Sequence, residues 1–402
     1  MRFWPILLLL TLGRLAINTN LRMMFPFAPA IARGLELPVQ TITDLIAFRY
    51  LVGLIGPLFG SLSEQYGRRV IAIGSLGLFA ASMWMIPLGM GYWPLAIGLG
   101  LAMFAKSIYD PTVYGYLGDA VPYERRGRAV GFLEISWAGG MFIGAPFVGL
   151  VMAWQGWQAP FWWLGGLALV AAVWLWGAMP RVARGTAVAP SLSVAQVLRE
   201  RPVIWVVLAY ILLFTTSMTL MFVNYGTWLE ETFAAELGQL GQTLFQGRAG
   251  LLGGIGVVTA VIGLAELLGE GSTALFSDRW GKRPFVLVCA AVVTAMYALL
   301  PSASHSLPLV MLVLFVLFLF FEGAVVGGLS LYSELVPRAR SVVLSIVFGG
   351  LNLGFALGSW LGTRVWDAAG LATTCYISAV LTLVAFGLFY WYVDEGGTSE
   401  NA

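Results

Sequence analysis

Apolar runs of 20 or more residues recur along this 402-residue chain from one end to the other. A helix of about 20 residues spans roughly 30 Å, the thickness of a bilayer's hydrocarbon core. Inside hydrocarbon every backbone N–H and C=O must be paired by the chain itself, so only helices and closed barrels can cross. A barrel would read as segments of about 10 residues with apolar and polar positions alternating, and no such alternation runs through the sequence. The expected fold class is all-α and integral to the membrane. Twelve apolar segments can be counted, near 4–32, 41–62, 70–90, 92–118, 129–153, 159–180, 203–230, 249–275, 284–303, 307–333, 342–365 and 369–393. The first starts at Trp4 without a basic leader or a small-residue cleavage site, which predicts a retained helix and not a signal peptide.

Orientation follows from where the cations fall. With the N-terminus inside, the inner loops hold 15 of them, from Arg2 through the Arg68, Arg125 and Arg279 turns to Arg340, and the outer loops hold 3, Arg33, Arg248 and Arg364. Both termini are therefore expected in the cytoplasm. Trp4, Trp93, Trp154, Trp157 and Trp391 sit near segment ends, where an interfacial belt belongs. The basic residues are scattered over short turns, a pattern that offers nothing to nucleic acid. Cys289 and Cys375 both fall inside apolar runs and read as small core residues.

The chain repeats itself. Gly67 and Gly281 stand 214 positions apart. "GDAVPYERRGRAVG" (118–131) is answered by "SELVPRARSVVLS" (333–345): Asp119 by Glu334, Pro122 by Pro337 and Arg125 by Arg340, each 215 apart. Gly140 and Gly144 are answered by Gly354 and Gly358, again 214 apart. The expected organisation is an N-terminal six-helix half over 1–180, a polar linker over 181–202, a C-terminal half over 203–393 and a tail over 394–402. Two such halves are the build of one large class of secondary transporters, whose substrate site lies at the bilayer midplane.

Two short turns carry an unusual density of charge for a chain only 10% charged. "LFGSLSEQYGRRV" holds Gly60, Glu64, Gly67, Arg68 and Arg69; "LFSDRWGKRP" holds Asp278, Arg279, Gly281, Lys282 and Arg283. Each joins the second and third segments of its half. The glycine permits a tight return, and the cations keep the turn in the cytoplasm. Used twice, with Asp119, Arg126 and Glu334 nearby in sequence pattern, the device reads as a latch on the inner face. An anchor that only fixes topology is the other reading, since cationic inner loops are general.

These residues resemble the signature of the major facilitator superfamily, Gly-x-Leu-a-Asp-r-x-Gly-r-r. Gly60, Leu62, Glu64, Gly67, Arg68 and Arg69 match it with Glu64 in place of Asp, and the second copy matches with Ala274 in place of the first Gly. The stretch Asp119, Pro122, Arg126, Gly127, Arg128 is similar to that family's turn after the fourth helix. Gly131, Gly140 and Gly144 keep the spacing of its antiporter signature in the fifth helix, with Ala145 inserted before Pro146, and Leu150 following Gly149 where a second Gly is usual. The resemblance implies the twelve-helix facilitator fold and alternating access. Plain helix packing is the alternative reading of the glycine stripe.

Charges within the apolar segments are costly, about 2.5–3.5 kcal/mol each at mid-bilayer by insertion scales, so each should face a cavity or a partner. Arg14, Asn18 and Arg22 share one face of the first helix at four-residue spacing. Arg49 lies in the second. Lys106 and Asp110 are four apart in the fourth and can pair; Glu134 lies in the fifth. Glu266 and Glu270 share a face of the eighth, and Glu322 lies in the tenth. Arg14, Asn18, Arg22, Asp110, Tyr109, Tyr114, Trp137, Asn224 and Tyr225 are the expected substrate-cavity residues. Glu266 and Glu270 are the first candidates for proton coupling, because neighbouring carboxylates and burial both favour the protonated form; Asp110, Glu134 and Glu322 follow. Against this stand a neutralising structural network for Arg22, Lys106, Asp110 and Glu134, snorkelling for Arg14, and capping by Glu270.

No metal-binding cluster or phosphate-cradling loop stands in the sequence, and His305 sits in a short polar loop, so neither an enzyme nor an ATP-driven pump is expected. The reading is a monomeric secondary transporter of a bacterial inner membrane, without cofactor or metal. Its expected partners are a small molecule, protons and lipid. The expected activity is proton-coupled export of an amphipathic or lipophilic compound. Uptake or flipping of an anionic solute or lysolipid is the alternative, argued from Arg14, Arg22 and Arg49; a transporter-like receptor is the rival of another class.

Overall fold

The structure, a computed structural model, describes residues 3–59, 62–89, 91–180, 193–336 and 339–393. Of the residues singled out above, Gly60, Pro337, the linker up to 192 and the tail from 394 lie outside the described residues, as does the side chain of Asp278. Every element among the described residues is helical. In chain order they are α1 (Phe3–Met23), α2 (Ala28–Leu35), α3 (Val39–Gly53), α4 (Leu62–Tyr66), α5 (Arg68–Gly89), α6 (Tyr92–Ala120), α7 (Tyr123–Phe142), α8 (Gly144–Gln155) and α9 (Ala159–Ala178). They continue as α10 (Val194–Glu200), α11 (Val203–Phe222), α12 (Tyr225–Leu244), α13 (Gly250–Trp280), α14 (Lys282–Ala303), α15 (Leu307–Leu335) and α16 (Arg340–Tyr392).

Nine helical stretches among the described residues are long and apolar enough to cross a membrane. Three details relate them to the apolar segments of the sequence. α3 is 15 residues long and runs into a 3-10 turn at Gly56–Phe59, and α6 carries Lys106, Asp110 and Asp119 along its 29 residues. The 53-residue α16 breaks at Gly370, where φ is +72°, so it makes two crossings. The protein is an all-helical membrane protein.

Breaks inside segments have local causes. Pro146 lacks an N–H and its ring opposes the carbonyl of Phe142, four residues back. The fifth segment accordingly divides at Ile143 into α7 and α8. The sequence predicts a polar connection over 231–248, but α12 continues to Leu244, with a break at Phe233. The reason is packing: Phe233, Leu237 and Gly241 are buried. The linker also contains structure, because Ser193 and Gln196 form a reciprocal capping box that starts α10.

The chain forms two compact units. The first covers Met1–Ala187 and Tyr225–Gly263. In it α1 packs against α6, α7, α8 and α9, and α5 packs against both α6 and α9. Glycines set the closest approaches: a methyl added to Gly140 would stand 3.1 Å from the backbone of Asn18, and one on Gly144 would strike Thr19. The second unit covers Val188–Asn224 and Leu264–Ala402. There α11 lies along α16, and methyls on Gly354, Gly358 and Gly362 would strike the backbone of Leu212, Thr216 and Leu220. The repeat read in the sequence thus has a packing counterpart in each unit, a glycine helix pressed on the unit's first long helix. Tetrad-spaced small residues are what allow such approach in lipid, where no hydrophobic drive holds helices together.

The two charged turns share one backbone solution. Gly67 has φ +93° and Gly281 φ +89°, and a Cβ at Gly67 would meet nothing within 4 Å. Conformation, and not space, therefore demands glycine at Gly67. We expect Gly67→Ala and Gly281→Ala each to cost about 1–2 kcal/mol of stability, the penalty of a left-handed L-residue. Gly118→Ala, at an uncrowded helical position, should be neutral. Unfolding of the purified protein in detergent measures all three, and equal losses at Gly67 and Gly118 would contradict the assignment.

Candidate functional site

The densest polar chemistry lies inside the first unit, where α1, α6 and α7 meet. Arg14 is 5% exposed and every guanidinium nitrogen is engaged. Its Nε donates to Asp110 at 3.2 Å, Nη1 to Glu134 at 2.9 Å and the Leu133 carbonyl at 3.2 Å, and Nη2 to the Tyr114 hydroxyl at 3.0 Å. Lys106 donates to Asp110 and to the Asn18 side-chain oxygen, both at 2.7 Å. Tyr114 in turn donates to Glu134. Ser136, which the sequence reading missed, lies within 3.4 Å of both Arg14 Nη1 and Asn18 Nδ2. Two cations and two carboxylates thus form one continuous network.

Aromatic faces extend it. The Arg22 guanidinium lies 4.5 Å from the Trp137 ring centre, and the Lys106 ammonium 5.8 Å from the same ring. Cations over an indole face are held by its quadrupole, more strongly once water is excluded. Arg14, Asn18 and Arg22, four apart in sequence, are all buried. The structure directs Arg14 inward onto its carboxylates and not towards an interface. Tyr109 stands apart: it is buried and donates to the Leu10 carbonyl at 2.7 Å, fastening α6 to α1.

The remaining residues of interest divide between the units. In the first, Tyr225 is buried with its hydroxyl 3.4 Å from Thr259. In the second, Asn224 donates to the Leu220 carbonyl at 3.4 Å. Glu266 and Glu322 are buried, and Glu270 is partly so. A methyl on Gly269 would come within 3.1 Å of Glu322 Cβ, so α13 and α15 are in close contact beside these carboxylates.

At the charged turns, Arg68 pairs with Asp119 at 3.2 Å, donates to Ser63 at 2.6 Å and lies 3.7 Å from Glu64. In the second copy Lys282 pairs with Glu334 at 2.6 Å. Arg69 and Arg283 occupy matching roles, donating to the backbone carbonyls of Trp176 and Tyr390 and lying over the same rings. Arg126 donates to the Val121 and Gly118 carbonyls and so closes the end of α6.

At the opposite end of the first unit the structure adds a contact absent from the sequence reading. Arg33, just beyond α1 on α2, forms a two-pronged pair with Glu230 of α12 at 2.5 and 3.1 Å. The hydrogen bond that Arg33 donates to Glu230 raises the guanidinium above its ordinary pKa, so the arginine stays charged. Behind this pair lies a tight seam. Gly226 meets the Pro26 carbonyl, Gly149 that of Leu252, Gly256 that of Ala145, and Gly263 the Phe142 backbone. A fork pairing of this geometry is the stronger kind of ion pair.

Membrane-crossing helices, paired glycine seams and a charge network sealed among them define a secondary transporter. The comparisons agree with that class. The Major Facilitator Superfamily profile matches residues 10–269 and 251–402. The chain belongs to that family, which is one of transporters and not of enzymes, and whose members move small molecules. It is 26% identical to an uncharacterized MFS-type transporter, YwfA, of Bacillus subtilis, over 99% of this chain and 95% of that one. It is 24% identical to a probable sugar efflux transporter of Helicobacter acinonychis, over 90% and 88% of the two chains. It is 23% identical to a multi-drug resistance efflux pump PmrA homolog of Lactococcus lactis, over 94% and 90%. Its fold matches a bacterial homolog of the lysosomal transporter Spinster in an inward-facing form, with TM-score 0.75, 13% identity and coverage of 96% and 95%. It also matches the nucleoside transporter NupG, with TM-score 0.78, 12% identity and coverage of 97% and 100%. The fold is the major facilitator fold.

Removing Arg14 leaves two carboxylates facing each other with one ammonium. Breaking a buried pair from one side costs about 3–5 kcal/mol. We expect Arg14→Met to destabilise the protein by about that much, and Arg14→Met with Glu134→Gln to recover a large part. A double-mutant cycle on detergent unfolding measures the coupling. Additive losses would mean the two groups do not interact.

Proposed function

We propose that this protein exports a small amphipathic or lipophilic compound in exchange for protons, with Glu134 as the coupling carboxylate. The carrying observation is the asymmetry of the two acids around Arg14. Asp110 is bracketed by Lys106 and Arg14 and its side chain is 20% exposed; Glu134 has Arg14 and Tyr114 and is 33% exposed. A proton therefore reaches Glu134 more easily and displaces fewer cations there. Once Glu134 is neutral, Asp110 is the one carboxylate left on the Arg14 fork, and the tie to α7 falls back on the neutral Leu133 carbonyl and Ser136. Relatives bearing the names sugar efflux transporter and multi-drug efflux pump support export over uptake. The aromatic faces of Trp137 and Tyr114 beside the network suit a lipophilic substrate.

Glu266, Glu270 and Glu322 form the alternative proton route, supported by the burial of Glu266 and Glu322 and by the close approach of α13 to α15 beside them. In this reading the protein works as a monomer in a bacterial inner membrane with both termini cytoplasmic. The halves 1–180 and 203–393 are the moving bodies. Arg68–Asp119, Lys282–Glu334 and the turn residues Asp278 and Arg279 gate the inner face. Arg33–Glu230 and its glycine seam latch the outer one. Arg22 beside Trp137 faces the substrate, and Arg22→Ala should abolish transport.

A second reading, movement of an anionic solute or lysolipid, draws on the excess of Arg14, Arg22, Arg49 and Lys106 over Asp110 and Glu134. Counterflow in proteoliposomes, first with a lipophilic dye and then with lysolipid, separates the two; a receptor would show neither. Glu134→Gln is expected to keep dye counterflow while losing its acceleration by an imposed pH gradient. If Glu134→Gln responds like the wild type and Glu266→Gln does not, the proton travels along α13.

The outer latch has its own test. Arg33→Glu should speed labelling of a cysteine introduced at the outer end of α2, and Arg33→Glu with Glu230→Arg should restore slow labelling. Unchanged labelling in the single variant would remove the latch.

A further inference from the structure

Beside the network, and sharing Lys106 with it, α1, α3 and α6 border a small cleft. Its walls are Ile17, Leu21, Leu99, Ala102 and Met103, and its polar groups are Asn20, Arg49 and Lys106. The open space at its centre admits about one water-sized body. Every polar side-chain nitrogen turned to it is a donor. Arg49 is 1% exposed; Nη2 donates to the Leu21 carbonyl at 2.5 Å, while Nε and Nη1 find no acceptor among the described residues. Asn20 is 3% exposed, and its Nδ2 likewise finds none. The Phe25 and Tyr50 rings flank the guanidinium, with centres 5.7 and 5.1 Å away. Lys106 gives two hydrogen bonds, to Asn18 and Asp110, and an ammonium has three protons to give.

Buried donors left without acceptors are costly, and a buried guanidinium more so than an amide. What the cleft lacks is an acceptor carrying negative charge, small enough for a one-water space and tolerant of apolar walls. A carboxylate side chain cannot supply it, because none lines the cleft. Water offers two acceptor sites but no charge to set against the Arg49 guanidinium.

We propose that this cleft binds one small inorganic anion of halide size, held by Arg49 Nε and Nη1 and by Asn20 Nδ2, with Lys106 supplying further positive field. The anion neutralises Arg49 within the membrane and ties α3 to α1 and α6. It is a resident ion and not the transported substrate, since the network on the other side of Lys106 carries the coupling acids.

The test uses the full-length protein in lipid nanodiscs. Its unfolding temperature is measured in sodium chloride, bromide, sulfate and gluconate at equal ionic strength. Chloride and bromide should raise it in a saturable way, as a ligand of the folded state does. Sulfate and gluconate, too large for the cleft, should not. Asn20→Ala should need about tenfold more halide or more for half-saturation, the loss of one hydrogen bond to a charge. Arg49→Gln should lose the response. Arg364→Gln, a cation lying over Trp360 elsewhere on the chain, should keep it. Should Arg49→Gln fail to fold, anomalous scattering from bromide-grown crystals of the wild type decides instead: a peak in contact with Arg49 and Asn20 supports the site. Equal unfolding temperatures in chloride and gluconate, a full response in Arg49→Gln, an equal effect of sulfate, or no bromide peak at Arg49 would each overturn it.

Discussion

A guanidinium in hydrocarbon has five protons to place and no water to take them. Arg14 solves this by drawing acceptors from two helices onto a third: Asp110 and Tyr114 on α6, Glu134 and the Leu133 carbonyl on α7, all around a donor on α1. The consequences spread outward from that fork. Asp110 can remain charged in the bilayer because Lys106 meets its second oxygen. Lys106 is held in place because Asn18, one turn beyond Arg14, accepts from it. Asn18 is oriented because Ser136 lies beside its amide. No member can be exchanged singly without stranding another, which is why a network of this sort fixes the relative rotation of three helices as firmly as packing does.

Packing supplies the complementary constraint. Polar pairing inside the membrane needs short reaches, and short reaches need helices whose backbones nearly touch. Gly140 and Gly144 deliver that on α7 and α8, by lying against Asn18 and Thr19. The stripe that holds helices together is therefore adjacent to the residues that hold the charges. In the second unit the same glycine spacing meets a different chemistry. Gly354 and Gly358 lie against Thr215 and Thr219, and Ser217 bonds to Ser378 and Thr382. There hydroxyls replace ions. One architecture thus carries a charged interface in one copy and a neutral one in the other.

Much of this was legible in the sequence because its causes are local or periodic. Run length marked the long apolar helices, and the 214-residue offset located two turns that share a positive φ. Four-residue spacing put Lys106 beside Asp110, and put Arg14 and Asn18 on one face, where both reach Ser136. What was not legible depends on which helices adjoin. Arg33 reads as a lone loop cation until α12 brings Glu230 to it. Ser136 reads as one more small residue until α7 is laid on α1. The partner of Glu334 is Lys282, within its own repeat. The part of α12 from Glu231 onward reads as a connection between apolar segments because it carries Glu231 and Glu236; only burial of Phe233 and Leu237 shows the stripe that holds it. Sequence spacing reports the face a residue occupies, and the neighbouring helix decides whether that face is a site.

Lys106 stands where two demands meet. One side of its ammonium belongs to Asp110 and Asn18, the other borders the cleft of Arg49 and Asn20. A single positive charge therefore lies between Asp110 of the buried charge network and the proposed anion. Coulomb interactions at such separations in a low-dielectric interior are large and weakly screened. An anion in the cleft offsets part of the field that Lys106 and Arg49 exert on Asp110, and so makes protonation of the network less unfavourable. A proton on Glu134, in turn, removes one negative charge from the network around Arg14 and Lys106 and strengthens the anion's hold. By linkage the two effects must be equal in size. If the network couples protons as proposed, the resident ion acts as a tuning charge for it, and an α3 held to α1 by that ion senses the charge state of the network.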